Sequence, residues 1–273
     1  MAAIPVRVQR GGPEGNGQKL FVVPTYDEAG NVAALVAALE PIVDGPGLDV
    51  LVIDDGSPDG TGSIVAKLAS TRPWLHLLER DRPTGLGSAY RAGFTWALDR
   101  SYGWIGEMDA DLSHDPAVIP QMLDAAAGGA DLVVGSRYVA GGGAEGWPLA
   151  RRALSRGANR FARTLLRLGT RDVTAGFRLY SRRAVELILD AGTRCDGYGF
   201  QVEGAYLVER GGGGVVEVPI RFHDRRYGRS KMSRSIAIEA AKRCVRLAVS
   251  PPEVPRLRSG PASAVGVVTR RQA

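Results

Sequence analysis

The 273-residue chain is short of several things, and each shortage excludes a class of protein. It has only 2 Cys, at positions 195 and 244, in no C-x-x-C arrangement. A disulfide scaffold is excluded, at most one disulfide can form, and two reduced thiols are expected. It has 3 His, at 76, 114 and 223, without metal-ligand spacing and without a dyad partner in the sequence. Each reads as a surface or core histidine. No run of 18 consecutive apolar residues occurs, so no transmembrane helix is expected. The first residues lack the ordered charged, apolar and small-residue regions of a signal peptide. No internal repeat is evident. Lysine supplies 4 of the 35 basic residues, a bias with no functional reading.

What is present is a globular composition, 44% hydrophobic and 23% charged, enough for one large α/β domain or two small ones. The net charge of +6 is unevenly placed. Residues 221–273 hold thirteen Arg or Lys against three acids, a segment charge of +10, which leaves −4 for the rest. Such asymmetry points to an anionic partner. Nucleic acid is not that partner, because no recognised motif or aromatic-interleaved basic patch is present.

Residues 1–18 are Gly-rich and aperiodic and read as a disordered leader; residues 250–273 read as a flexible basic tail. Between them, over 19–249, short apolar runs alternate with helical stripes. Residues 20–23, 49–54, 75–80, 104–111 and 131–137 read as strands. Helical periodicity appears at 31–39, 63–69, from 85 and at 117–127. This alternation predicts a mainly parallel sheet with helices on both faces. In such sheets ligands bind beyond the carboxyl ends of the strands. After residue 137 a Gly-rich loop leads to basic helices at about 149–168 and 233–249, with a strand at 215–222 between them.

The polar motifs fall at the strand ends. In EMDADLSHDP, Asp109 and Asp111 flank Ala110, and an i, i+2 pair in extended chain points both carboxylates one way. Two such groups suit a hard divalent cation whose other positions take diphosphate oxygens; the competing reading is a solvated turn. In DDGSPDGTG, starting at Asp54 and Asp55, carboxylates are placed to accept base N–H groups or ribose hydroxyls, or to cap the next helix. In PTYDEAGN, Glu28 is placed to hold a ribose hydroxyl and Tyr26 to flank a base, with a plain turn as the alternative. GLGSAYRAG matches a dinucleotide fingerprint only loosely and follows the third strand, which argues against nicotinamide binding.

Arg152, Arg156, Arg160, Arg163 and Arg167 share one stripe of their helix, with Leu154, Phe161, Leu165 and Leu168 elsewhere on the wheel. In the later helix Ile238, Ala241, Val245 and Ala248 form an apolar stripe, beside Arg234, Lys242, Arg243 and Arg246. Two readings compete for both helices. One is an interfacial helix lying on a membrane; the other is a helix packed on the sheet with a solvated basic face.

The order VPTYDE, VIDDGSPDGT, GLGSAYRAG, MDADLSHDP, VVGSRYV resembles family 2 glycosyltransferases of the GT-A (Rossmann-like) fold. GFRLYSRRAV, GYGFQVE and RRYGRSKMS add a resemblance to the polyprenol-phosphate mannosyltransferases, the dolichol-phosphate mannose synthase family, over about residues 20–249. The resemblance implies that Pro24, Tyr26, Glu28, Asp54, Asp55, Asp109 and Ala110 hold the GDP-mannose donor. Asp109 and Asp111 would bind Mg²⁺ or Mn²⁺, with Ser113 standing where many relatives carry a glutamine ligand. Asp111 and Arg137 would be catalytic. Arg137, Arg151, Arg152, Ser155, Arg225, Arg226, Arg229, Ser230 and Lys231 would bind the acceptor phosphate. It further implies inverting transfer to a membrane polyprenyl phosphate by a protein docked peripherally on the cytoplasmic face. The anchor would be an anionic membrane surface or a membrane-embedded partner protein. A phosphomonoester acceptor needs cationic alignment rather than a strong base, since its second pKa is roughly 6. The alternatives are the same fold using UDP-glucose or another nucleotide sugar, and an inactive nucleotide-sugar-binding module.

Overall fold

The computed structural model describes residues 17–43, 47–100, 102–193, 195, 197, 199–224 and 234–257. The leader expected over 1–18 lies outside these apart from its last two residues, as do most of the expected tail and the basic loop at 225–233.

Four parallel strands form the first half of a seven-stranded sheet: β1 (Lys19–Thr25), β2 (Leu48–Asp54), β3 (Leu75–Glu79) and β4 (Trp104–Glu107). β5 (Leu132–Ser136), β7 (Arg178–Ser181) and β8 (Val215–Pro219) complete it in the order β3-β2-β1-β4-β7-β5-β8. β7 runs antiparallel to both its neighbours, and β5 pairs with β8 in parallel. The sheet is therefore mainly parallel, as expected. A two-stranded ribbon joins β6 (Gly143–Ala144) to β9 (Arg221–Phe222). The Gly-rich loop thus contains a strand, and the single strand expected at 215–222 is divided between two sheets.

Alternation of side chains along each strand makes two cores. On one face Phe21, Val23, Val50 and Val52 meet α1 (Val32–Val43), α2 (Thr61–Ala69) and α4 (Ile119–Ala127). On the other, Leu20, Val22, Ile53 and Ile105 meet α3 (Leu86–Leu98), α6 (Arg182–Asp190) and α7 (Gly199–Arg210). β1 continues through Pro24 because β4 has already ended at that level, so no ladder partner needs the missing N–H. The glycines of GLGSAYRAG serve packing. A Cβ at Gly87 would meet the Cys195 carbonyl oxygen at 2.0 Å, and one at Gly93 would meet Val22 at 2.5 Å.

α5 (Leu149–Leu166) and α8 (Arg234–Val249) pack on each other, and α8 also packs on α7. α5 is shorter than expected, because Arg167 caps it in the left-handed conformation. Asn159, Ala162 and Leu166 of α5 face the body, and so do Cys244 and Leu247 of α8. Part of each stripe read from sequence points outward: Leu154 is 72% exposed, Ile238 55%, and Phe161 and Val245 are also exposed. Arg243, by contrast, turns inward and pairs with buried Glu203 of α7. The α5 apolar set is split: Leu154 and Phe161 lie on the surface, while Leu165 and Leu168 pack on the core, and Arg156 and Arg160 are exposed beside them. Cys195 and Cys244 are free and buried.

Candidate active site

The carboxyl ends of β1, β2 and β4 carry three loops. The β1 and β2 loops are bound to each other. The Asp54 carboxylate accepts from Thr25 Oγ1 at 3.0 Å, Ser57 N–H at 3.1 Å and Ser57 Oγ at 2.6 Å. Asp59 accepts from Ala29 N–H at 2.9 Å and from both donors of Thr61. Burial raises the pKa of Asp59, but the hydrogen bonds from Thr61 and Ala29 outweigh it and hold the carboxyl below its ordinary range. Asp55 is gripped bidentately by Arg80, at 2.6 and 2.8 Å. Asn31 donates to the Glu28 carboxylate at 2.7 Å. Pro24 and Tyr26 are half-buried at the end of β1. The donor-binding residues read from sequence are thus brought to one rim, with Asp54 and Asp55 also serving as loop staples.

β4 ends at Glu107, so Asp109 and Asp111 lie beyond the strand rather than in the extended segment expected through residue 111. Leu112 takes φ 61°, a left-handed turn that folds the chain back. The turn brings His114 beneath Asp109, whose N–H donates to His114 Nδ1 at 3.2 Å. His114 Nε2 stands 3.8 Å from the Asp109 carboxylate. The Asp109 side chain is 38% exposed, Asp111 and Ala110 are buried, and Ser113 N–H donates to Asp111 at 3.1 Å. Ser113 Oγ is buried and has no hydrogen-bond partner. Two carboxylates and an orphaned hydroxyl are a hard oxygen set, which fits Mg²⁺ or Mn²⁺. The described residues contain no cluster of three acidic, histidine or cysteine ligands.

Arg137, just past β5, is held by Asp172. The buried carboxylate accepts from Arg137 N–H at 2.9 Å, Nε at 2.7 Å and Nη2 at 2.7 Å, and from Asn159 Nδ2 at 3.2 Å. Burial alone would raise the Asp172 pKa, but the Arg137 guanidinium and these hydrogen bonds keep it low. Thr174 Oγ1 also accepts from Arg137, at 2.9 Å. The guanidinium lies 5.6 Å from the rings of both Trp147 and Phe222. Arg151 covers Trp147 at 4.1 Å and pairs with Asp224 at 3.1 Å. Arg152 donates to the Ala144 carbonyl of the ribbon at 2.8 Å, and Ser155 Oγ meets Tyr138 Oη at 2.7 Å. Arg137, Arg151, Arg152 and Ser155 therefore gather around Trp147 and the ribbon. Arg225, Arg226, Arg229, Ser230 and Lys231 lie outside the described residues.

A row of rings joins the two groups. His114 stacks on Phe177 at 5.0 Å and meets Phe222 edge-on at 5.4 Å; Phe222 meets Trp147 at 5.3 Å. Burial lowers the His114 pKa against the pull of Asp109 and Asp111. His114 is thus a core histidine, as expected, but one placed against the site. Behind it Glu107 is fully buried, and burial pushes its pKa up to about 8, opposed by Arg178. Gln201 of α7 lies alongside, yet neither Glu107 oxygen completes a hydrogen bond. Sequence reading missed Asp172, Asn159, Trp147 and Phe222. No local pattern marked them, since the side of α5 that Asn159 shares with Ala162 and Leu166 faces the body only in the folded chain.

A profile of glycosyl transferase family 2 matches residues 20–189. The chain is 45% identical to polyprenol monophosphomannose synthase of Mycolicibacterium smegmatis over 222 residues, 81% of this chain and 83% of that one. It is 44% identical to undecaprenyl-phosphate mannosyltransferase of Micrococcus luteus over 222 residues, 81% and 90% of the two chains. Glucosyl-3-phosphoglycerate synthase of Mycobacterium tuberculosis, solved with Mn²⁺, uridine diphosphate and phosphoglyceric acid, superposes with TM-score 0.63. That match has 17% identity over 86% of this chain and 80% of the other, and shows a shared fold.

Proposed function

This chain belongs to glycosyl transferase family 2, and we propose that it transfers mannose from GDP-mannose to a polyprenyl monophosphate, with inversion at the anomeric carbon. One observation carries the reading. A hard oxygen set on Asp109, Asp111 and Ser113 lies one row of rings from a cluster of guanidiniums at the carboxyl end of the sheet. Acidic and cationic groups so placed suit a metal-bound diphosphate facing an anionic acceptor. The two relatives, 44–45% identical, support mannose as the sugar and a polyprenyl phosphate as the acceptor.

In this reading Pro24, Tyr26, Glu28, Asp54, Asp55 and Ala110 border the nucleoside, and Asp109 and Asp111 hold Mg²⁺ or Mn²⁺ against the diphosphate. The bound ion offsets charge that builds on the nucleoside diphosphate leaving group. Arg137, fixed by Asp172 and Thr174, presents its guanidinium to the sugar and the acceptor phosphate. Arg151, Arg152 and Ser155 align the acceptor dianion for in-line attack, and the cations Arg225, Arg226, Arg229 and Lys231, with Ser230, would add to that acceptor group. The nucleophile is already ionised, so no general base is required.

Access to a membrane acceptor fits the outward stripes of α5 and α8. Leu154, Phe161, Ile238 and Val245 are exposed beside Arg156, Arg160, Lys242 and Arg246, a basic amphipathic face suited to an anionic bilayer on the cytoplasmic side. No described helix is long and apolar enough to cross a membrane. A membrane-embedded partner is the alternative anchor.

The test is transfer of labelled sugar to polyprenyl phosphate from a panel of donors, with Mg²⁺ or Mn²⁺. Transfer from GDP-mannose far above that from UDP-glucose is expected. Equal transfer from both would overturn the donor, and transfer from neither would leave an inactive nucleotide-sugar-binding module.

A further inference from the structure

A second polar feature lies at the opposite end of the two surface helices. The C-terminal ends of α5, α7 and α8 border an open, solvent-facing cleft of about 530 Å³. α5 starts near Arg151 and ends at this cleft, and its 18 residues span about 27 Å. The cleft is therefore distinct from the site around Asp109. Leu165, Leu166, Leu247 and Val254 line it, together with Tyr206 and two arginines, Arg167 and Arg210.

The arginines are placed by separate devices. Arg167 caps α5 at φ 53°, ψ 50°, where glycine or asparagine is favoured, and Leu168 N–H closes the turn on the Arg163 carbonyl at 2.9 Å. A long cationic side chain kept in a conformation that costs stability is an observation that calls for a function. Arg210 donates from Nη2 to the Leu166 carbonyl at 3.0 Å and lies 5.5 Å from the Tyr206 ring. Among the described residues no acid lines the cleft. The adjacent Glu209 is turned to the backbone of Gly169 and Thr170, and Glu253 is exposed between two lining residues.

We infer that this cleft binds the phosphate headgroup and first acyl carbons of an anionic bilayer phospholipid, separate from the sugar acceptor. Guanidinium forks match phosphate oxygens, and the leucines suit the start of an acyl chain. The cleft lies at the ends of the two helices that carry exposed Leu154, Phe161, Ile238 and Val245, the residues suited to meeting a bilayer. The inference rests on the membrane-facing part of the proposed function.

The probe is monomeric dihexanoylphosphatidylglycerol, titrated into the full chain and followed by methyl NMR. Saturable shifts at Leu165, Leu166 and Leu247 are expected. They should vanish in Arg167→Gly/Arg210→Ala and persist in Arg156→Ala/Arg160→Ala, which removes equal charge elsewhere on α5. Equal response to inorganic phosphate or to the phosphatidylcholine analogue, or shifts spread over the whole surface, would overturn the proposal. Arg167→Gly alone separates binding from folding. It should melt no lower than wild type, yet bind phosphatidylcholine–phosphatidylglycerol vesicles roughly fivefold more weakly. Unchanged vesicle binding would also overturn it. In detergent, the double variant should transfer mannose to polyprenyl phosphate like wild type. Loss of transfer there would make the cleft part of the acceptor site and overturn its separateness. Failure of the wild-type chain to transfer mannose, with the NMR shifts intact, would defeat the enzymatic reading alone.

Discussion

The two halves of the sheet present their ligand groups by different means. On the β1–β4 side, acids sit in short loops whose contacts come from neighbouring β-α units. Asp54 binds Thr25 and Ser57, Asp59 binds Ala29 and Thr61, and Asp55 binds Arg80. On the β5–β8 side, arginines are set by partners distant in the chain: Arg137 by Asp172 and Arg151 by Asp224. The first half fixes its loops with its own acids, while Asp109 and Asp111 stand beyond the end of β4. The second half lets a buried acid aim a cation. A lone guanidinium in so enclosed a place would be costly, and Asp172 removes that cost while leaving its direction defined.

Four measurements would break or sharpen this contrast. The largest effect belongs to Asp109→Ala and Asp111→Ala. Each should lower turnover by at least about a hundredfold with the melting temperature nearly unchanged; normal steady-state rates in both would remove these acids from the chemistry. Asp172→Ala should act on fold and rate together, destabilising the chain by about 3–5 kcal/mol because Arg137 loses its buried counter-ion. If denaturant unfolding registers no loss, Arg137 is positioned by other groups. Glu107→Gln tests the strand between the halves. The folded pKa of about 8 lies above the ordinary 4.5, so the folded chain holds a proton that the unfolded chain releases. This contribution is complete below 4.5 and is lost as pH rises through 8. Glu107→Gln should therefore gain stability over wild type as pH rises across that window; parallel melting curves at every pH would refute the buried neutral carboxyl. The smallest effect is expected for Arg151→Ala, which removes a half-exposed cation from the Trp147 face. It should raise the acceptor KM severalfold with little change in kcat or in donor KM. A purely donor-side change would move Arg151 out of the acceptor group.

Which parts of this were legible in advance follows from the distance between partners. The strand–helix alternation, the mainly parallel sheet and the placement of the acids at strand ends depend on periodicity, which is local. The Asp109–Asp111 spacing was equally plain, but the strand was drawn four residues too long because the left-handed Leu112 turn leaves no mark on hydropathy. The apolar stripes of α5 and α8 were visible too, though not whether they faced the sheet. A helical wheel gives the faces of a helix and says nothing of which face meets the body. Burial of Asn159, Ala162, Leu166, Cys244 and Leu247 decided that, and left Leu154, Phe161, Ile238 and Val245 exposed.

The sequence by itself determined the fold class, the place of the Asp109–Asp111 pair after an apolar strand and the basic character of the chain's end, because residue type and short spacing carry that information. Only the tertiary structure decided that Asp172 aims Arg137, that His114 lies under Asp109, and that Trp147 and Phe222 join the acidic and basic groups. Apart from the Asp109–His114 contact within one loop, these contacts join residues 35 to 108 positions apart. The reason is physical: a buried charge or ring takes its role from whatever folding places against it, and no local pattern records that neighbour.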